Sequence, residues 1–317
     1  NYLAPMPAST SRAHLGMVLV ALIWGVNFTT LKLGIRALGV LPFTAFRFVL
    51  ASAALWLLTR QLGRATTLPR RTFWILVGLG VLGNTLYQVL FMTGLSMTSA
   101  TNSAMIVAAL PVLVAVMGTV LGLEESNTAT WIGVVLGSVG VGLVVAAKGV
   151  QFSGASVAGD LIVLVAMLCW AGYTLGVRQA GSGLDPLHVT SFTTLAGTPG
   201  LLILGAPGLV RADWASVGLV GWLAIAYAAF LAIVVAYYLY NGSVQVLGSS
   251  GTALYNCLVP LVAMTVAWLA LDERPVPQQL VGGALVIISV LVSALGPRAL
   301  TARDRARAFR DSPRPSE

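Results

Sequence analysis

Charge is what this chain has least of. Only 9% of its 317 residues are charged, against roughly a quarter in an ordinary soluble domain, and that excludes a water-soluble fold. Acids are scarcest, with none before Glu124 and none between Asp213 and Asp272. Cysteine is nearly absent. Cys169 and Cys257 both sit inside apolar runs, where they read as small buried hydrophobes, so neither a disulfide framework nor a metal pair is expected. No H-E-x-x-H, no G-x-S-x-G and no cluster of Asp, His and Cys on neighbouring runs occurs, which argues against an enzyme and against any metal or cofactor.

What is present is apolar sequence, at 57% of residues. Runs of membrane-spanning length fall at about 15–34, 42–59, 73–92, 100–122, 131–147, 159–178, 187–206, 216–239, 250–271 and 279–296, so the fold class expected is an all-α integral membrane protein with ten spans. The first run has a basic flank and lacks an A-x-A-like cleavage site, so it is expected to be retained as a helix. The excess of basic residues, a net +8, lies between and after the runs rather than on one folded face, which fits topology signals and not a nucleic-acid partner.

Lys and Arg collect in cytoplasmic loops. With an N-terminus inside, that side holds Arg12, Arg60, Arg64, Arg70, Arg71, Arg178 and the arginines of the tail, and the other side holds Lys32, Arg36, Lys148, Arg211 and Arg274. Both termini are therefore expected in the cytoplasm, in a multi-pass plasma (bacterial inner) membrane protein.

An internal repeat sets the expected architecture. Trp24-Gly-Val-Asn27 is echoed by Trp170-Ala-Gly-Tyr173, and Pro42 opening the second run by Pro186 opening the seventh. Pro111, Glu124 and Gly133 stand at the same two spacings, thirteen and nine residues, as Pro260, Glu273 and Gly282. Two copies of a five-span unit enter the membrane in opposite orientations, giving an inverted repeat around a central cavity. The division expected is a segment 1–14, a first repeat 15–147, a connection 148–158, a second repeat 159–296 and a basic tail 297–317.

These residues carry a resemblance. W-G-x-N in the first run, P-x-x-x-x-R from Pro42 to Arg47, the stretch GLSMTSATNSAMIVAALP from Gly94 to Pro111 and the Glu124 to Gly133 segment resemble the EamA half of the drug/metabolite transporter superfamily. The resemblance covers both halves. It implies ten helices in a basket around a central cavity and movement of small metabolites, and the chain looks most like YddG-type exporters of aromatic and other neutral amino acids. One departure is Ser191, which stands where the second half would place an arginine.

Polar groups in mid-span ask for a partner, a cavity or a ligand. Asn84, Tyr87, Gln88 and Phe91 recur at i, i+3, i+4 and i+7 on one helix face, where they either face a cavity or glue helices together. Trp24, Asn27, Trp170 and Tyr173 would meet near a pseudo-twofold axis, and Asn102, Tyr255 and Asn256 precede the matched prolines Pro111 and Pro260, which permit hinges. Tyr237, Tyr238 and Asn241 read as an interfacial belt at the end of the eighth run, with a cavity role as the alternative. Arg47 is the only charge well inside a run; it either bonds backbone or, with Lys32, attracts a substrate carboxylate. Glycines at 133, 137, 140 and 142 and at 282 and 283 give the fifth and tenth runs small faces for packing together, with homodimerisation the runner-up to a monomer.

Proton-coupled carriers usually place an acid or histidine on the path, and none lies mid-span here; His14 and His188 fall near run ends. The function expected is alternating-access transport of small metabolites, foremost export of aromatic and other neutral amino acids, with the lipid bilayer and a small-molecule substrate as partners. Carriage of another small solute (a drug, nucleoside or sugar derivative) or a receptor or scaffold role are the alternatives.

Overall fold

A computed structural model describes residues 10–62, 68–97, 103, 106–107, 109–123, 128–146, 154–262, 265, 277–278 and 280–292. Among them no strand occurs. The helical segments are α1 (Thr10–Leu38), α2 (Val40–Gln61), α3 (Arg70–Met97), α4 (Leu110–Val120), α5 (Thr128–Ala146), α6 (Gly154–Ala180), α7 (Pro186–Arg211), α8 (Trp214–Leu247), α9 (249–262) and α10 (Leu280–Val292). Six of them, α1, α2, α3, α6, α7 and α8, are long and apolar enough to cross a membrane. At least one expected end of each of the other runs lies outside the described residues, as do Asn102, Glu124, Glu125, Asp272 and Glu273.

Local sequence explains the breaks. Gly39, at φ 82°, is the single residue joining α1 to α2, a conformation that a Cβ would strain. Asp185 caps α7 by accepting from the Leu187 amide at 2.8 Å, and Pro186 takes the first helical position, where its missing N–H costs nothing. Pro111 likewise sits in the first turn of α4, just after a tight turn in which the Ala109 amide donates to the Ile106 carbonyl. Pro260 follows the 3-10 turn Leu254–Cys257 within α9. Each matched proline therefore follows a tightened turn.

Many large apolar side chains face outward. Ile203, Leu219 and Trp74 are 74%, 75% and 60% exposed, an apolar surface that water does not tolerate and lipid covers. Inside, α2 packs along α7, α1 along α8 and α3 along α6. Exchanging the first five segments for the last five maps the first of these pairs onto itself and the other two onto each other. A seam of glycines brings α3 against α7: a Cβ on Gly80 would stand 2.4 Å from the Thr193 carbonyl oxygen, and one on Gly197 would stand 2.6 Å from that of Gly80. At the α5/α10 contact a Cβ on Gly140 would meet the Gly282 carbonyl at 2.6 Å.

Contacts also sort the helix ends into two faces. Ser243 donates to the Ala13 carbonyl, Thr59 bonds Ser191 at 2.8 Å, and Arg178 donates to the Gln245 carbonyl. The start of α1, the ends of α2, α6 and α8 and the start of α7 thus share one face, with Arg12, Arg60 and Arg178. Arg36 and Arg211, at the far ends of α1 and α7, mark the other.

Candidate functional site

Two helices carry the same irregularity. In α3 residues Val81–Leu86 wind as a π-helix, and in α8 so do Tyr227–Val235. The two begin at the same offset that separates Trp24 from Trp170. Wider winding re-aims every side chain that follows it and is common at functional sites. Here it is followed directly by Tyr87 and Gln88 in α3 and closely by Tyr237 in α8. It also holds the Ala232 carbonyl to the Trp24 indole, whose Nε1 donates at 3.1 Å.

Between these helices lies a cavity with about 80 Å³ of space for water centres, several waters' worth, since one needs roughly 10–15 Å³. Its polar wall consists of Arg47, Gln88, Tyr237, Asn27 and Asn256, and its aromatic wall of Trp24, Tyr87, Phe91 and Trp170. Phe28, Leu31, Val107, Leu110, Met167, Ile233 and Val259 complete an apolar side.

The aromatic rings form one cluster. Trp170 stands 4.8 Å from Tyr87, 5.0 Å from Tyr173 and 5.4 Å from both Tyr237 and Tyr240 between ring centroids. Trp24 approaches it edge-on at 5.9 Å. These separations suit attractive ring pairs, worth about 0.5–1.5 kcal/mol each beyond their burial.

Arg47 is 3% exposed. Its Nη2 donates to Gln88 Oε1 at 2.8 Å, and Gln88 Nε2 donates to the Tyr237 hydroxyl at 3.0 Å. Its Cζ lies 5.3 and 5.6 Å from the ring centroids of Phe43 and Phe48, while its Nε is buried without a partner. No Asp or Glu lines the cavity among the described residues. The chemistry available is a fixed, desolvated cation with unused donors, beside a cluster of aromatic rings: a receptor for one end of an amphipathic anion.

The candidates from sequence divide. Trp24, Asn27, Tyr87, Gln88, Phe91, Trp170, Asn256 and Arg47 share the cavity. Asn84 does not line it: the π turn throws it out of register with Tyr87, and it is buried close to Gly197, both amide atoms unpartnered. Tyr173 stands behind Trp170, its hydroxyl donating to Asn241 Oδ1 at 3.1 Å. Tyr255 pairs with His14 Nδ1 at 2.6 Å, away from the cavity. The Lys32 side chain and Asn102 lie outside the described residues.

Beyond Trp170 and Tyr237, toward the face that carries Arg178, the interior is filled. Tyr173, Thr174, Thr190, Thr193, Tyr240 and Asn241 are all fully buried. Asn241 Nδ2 donates to Thr190 Oγ1 at 2.9 Å, and Thr174 Oγ1 and the Tyr240 hydroxyl share a bond of 2.8 Å. This layer of side-chain hydrogen bonds closes the cavity at that end.

A family model described as the EamA-like transporter family matches residues 11–146 and again 157–295. The chain belongs to this family. An uncharacterized transporter of Archaeoglobus fulgidus is 30% identical over 89% of this chain and 97% of that protein. The uncharacterized transporter YyaM of Bacillus subtilis is 28% identical over 85% and 89%. A probable terminal-alkyne amino-acid exporter of Streptantibioticus cattleyicolor is also 28% identical, over 89% and 93%. One solved crystal structure superposes with a TM-score of 0.73 at 18% identity, covering 91% of this chain and 99% of that one, which supports the fold.

In this EamA-like transporter, sequence reasoning left Tyr237 as a belt residue and did not single out Phe28, Met167 or Ile233. The apolar run stops near 239, but α8 continues to Leu247 because Asn241 and Ser243 are buried and bonded to neighbours. That continuation moves Tyr237 from the end of a span to its interior.

Proposed function

We propose that the protein is a ten-span, alternating-access carrier of small amino acids with apolar or aromatic side chains, exporting them across the plasma membrane. The observation that carries this reading is the cavity itself, with one unneutralised guanidinium facing a wall of stacked rings. A carboxylate suits the first and an apolar or aromatic side chain the second. A sugar phosphate would ask for more cationic groups. The amino-acid exporter among the relatives points the same way.

Alternating access draws support from the repeat. The two family matches, the matched π segments in α3 and α8 and the exchange symmetry of the helix pairs all agree with two inverted halves. In this reading the face with Arg12, Arg60 and Arg178 is cytoplasmic, and the layer around Tyr173 and Asn241 is the inner gate, closed here. Pro111 and Pro260 are the hinges, each just past a tightened turn.

The test is flux of labelled phenylalanine, threonine and a sugar phosphate into proteoliposomes, with and without an imposed pH gradient. Saturable uptake of the amino acids and none of the sugar phosphate is the expected result. Uptake of the sugar phosphate alone would overturn the substrate class.

A further inference from the structure

We propose that the cavity reads the carboxylate of its ligand and not the amine, so that aromatic or apolar monocarboxylates lacking an amino group bind at least as well as the matching amino acids. This rests on the cavity being the substrate site.

The charge inventory carries the argument. Arg47 lines the cavity and no acid does among the described residues. Along the segments that supply most of its lining, the sequence has no Asp or Glu from 1 to 123 or from 214 to 271. The nearest acid along α6, Asp160, precedes Met167 by about two turns and has an interaction of its own. A zwitterion would leave this pocket with a net positive charge, whereas a monocarboxylate leaves it neutral.

Hydrogen-bond direction agrees. Arg47 donates to Gln88, Gln88 donates to Tyr237, and what remains is the rest of the guanidinium and the Tyr237 hydroxyl proton, all donors. Acceptors for an ammonium are all neutral: two side-chain amides and the hydroxyl oxygens of Tyr87 and Tyr237. Asn256 donates its Nδ2 to the Ala253 carbonyl, which leaves its Oδ1 for a ligand, and Asn27 Oδ1 already accepts from Thr30 at 2.8 Å. Ring faces attract a cation by about 0.5–2 kcal/mol, which falls short of the several kcal/mol that desolvating an unpaired ammonium costs.

Three ligands sharing a benzyl group separate the charges: phenylalanine, phenyllactate, in which hydroxyl replaces the amine, and phenethylamine, which has no carboxylate. Their binding to the purified, lipid-reconstituted protein is measured by calorimetry. Phenyllactate is expected to bind at least as tightly as phenylalanine, and phenethylamine more than about tenfold more weakly than either. Phenethylamine matching phenylalanine, or phenyllactate falling about tenfold behind it, would overturn the inference while leaving the substrate site in place. Binding by none of the three, in protein whose circular dichroism remains helical, would overturn both. As a second arm, Arg47→Met should abolish phenyllactate binding and Arg47→Lys should retain part of it; equal binding by wild type and Arg47→Met contradicts the proposal.

Discussion

A guanidinium inside a helical bundle costs several kcal/mol unless something meets it, and Arg47 is met by one side-chain amide and two phenyl faces. That is partial compensation, and in the proposed function a bound carboxylate supplies the remainder. Arg47→Met is therefore expected to lower phenylalanine flux about tenfold or more at unchanged membrane content, a loss of at least ~1.4 kcal/mol of transition-state binding. Gln88→Leu should cost less, because it removes the brace between Arg47 and Tyr237 and not the charge; kinetic constants from proteoliposome uptake check both. Trp170→Ala differs in kind. It removes ring contacts to Tyr87, Tyr173, Tyr237 and Tyr240 together, so a lower melting temperature should accompany any loss of flux. Arg47 and Gln88 were each legible as odd residues in apolar runs, but nothing in their spacing says that they touch. That contact is tertiary, and so was hidden.

At the scale of helices, hydropathy was enough to find the six helices long and apolar enough to cross a membrane, because burial of apolar side chains in lipid leaves long runs. It could not show the π turns, since a widened turn depends on what the neighbouring helix offers, as Trp24 does for the Ala232 carbonyl. For that reason the sequence put Asn84 on the face of Gln88, where the structure does not. Deleting one residue within 81–86 would return α3 to regular winding and rotate Tyr87 and Gln88 away from Arg47. Such a variant is expected to insert normally and lose flux, as read by labelling in intact cells alongside uptake. The glycine seam predicts a different outcome: Gly197→Ala places a methyl 2.6 Å from the Gly80 carbonyl oxygen, backbone that cannot step aside, and should destabilise the fold by about 1–3 kcal/mol. Loosening the closed layer with Asn241→Leu and Thr174→Val removes bonds worth about 1 kcal/mol each in a membrane. A cysteine near Tyr240 should then become reachable from the face that carries Arg178, and unchanged labelling would contradict the gate.

For the whole molecule, a repeat was visible in the sequence as matched residues, and the structure adds a π segment to each family-matched half at the same offset. What symmetry does not share is informative. Arg47 faces the cavity, while Ser191, the residue at its place in the second half, bonds Thr59 and caps nothing charged. One half therefore supplies the cation and both supply the rings. No Asp, Glu or His lines the cavity among the described residues, so flux is expected to be indifferent to an imposed pH gradient; dependence on the gradient would place a titrating group on the path.

Counterflow tests the central claim most directly. Proteoliposomes loaded with unlabelled phenylalanine and diluted into a trace of labelled phenylalanine should accumulate label transiently above equilibrium if one cavity serves the two sides in turn. The account predicts that overshoot in the wild type and its loss in Arg47→Met. Labelled uptake that never exceeds equilibrium, or an overshoot that survives Arg47→Met undiminished, would contradict it.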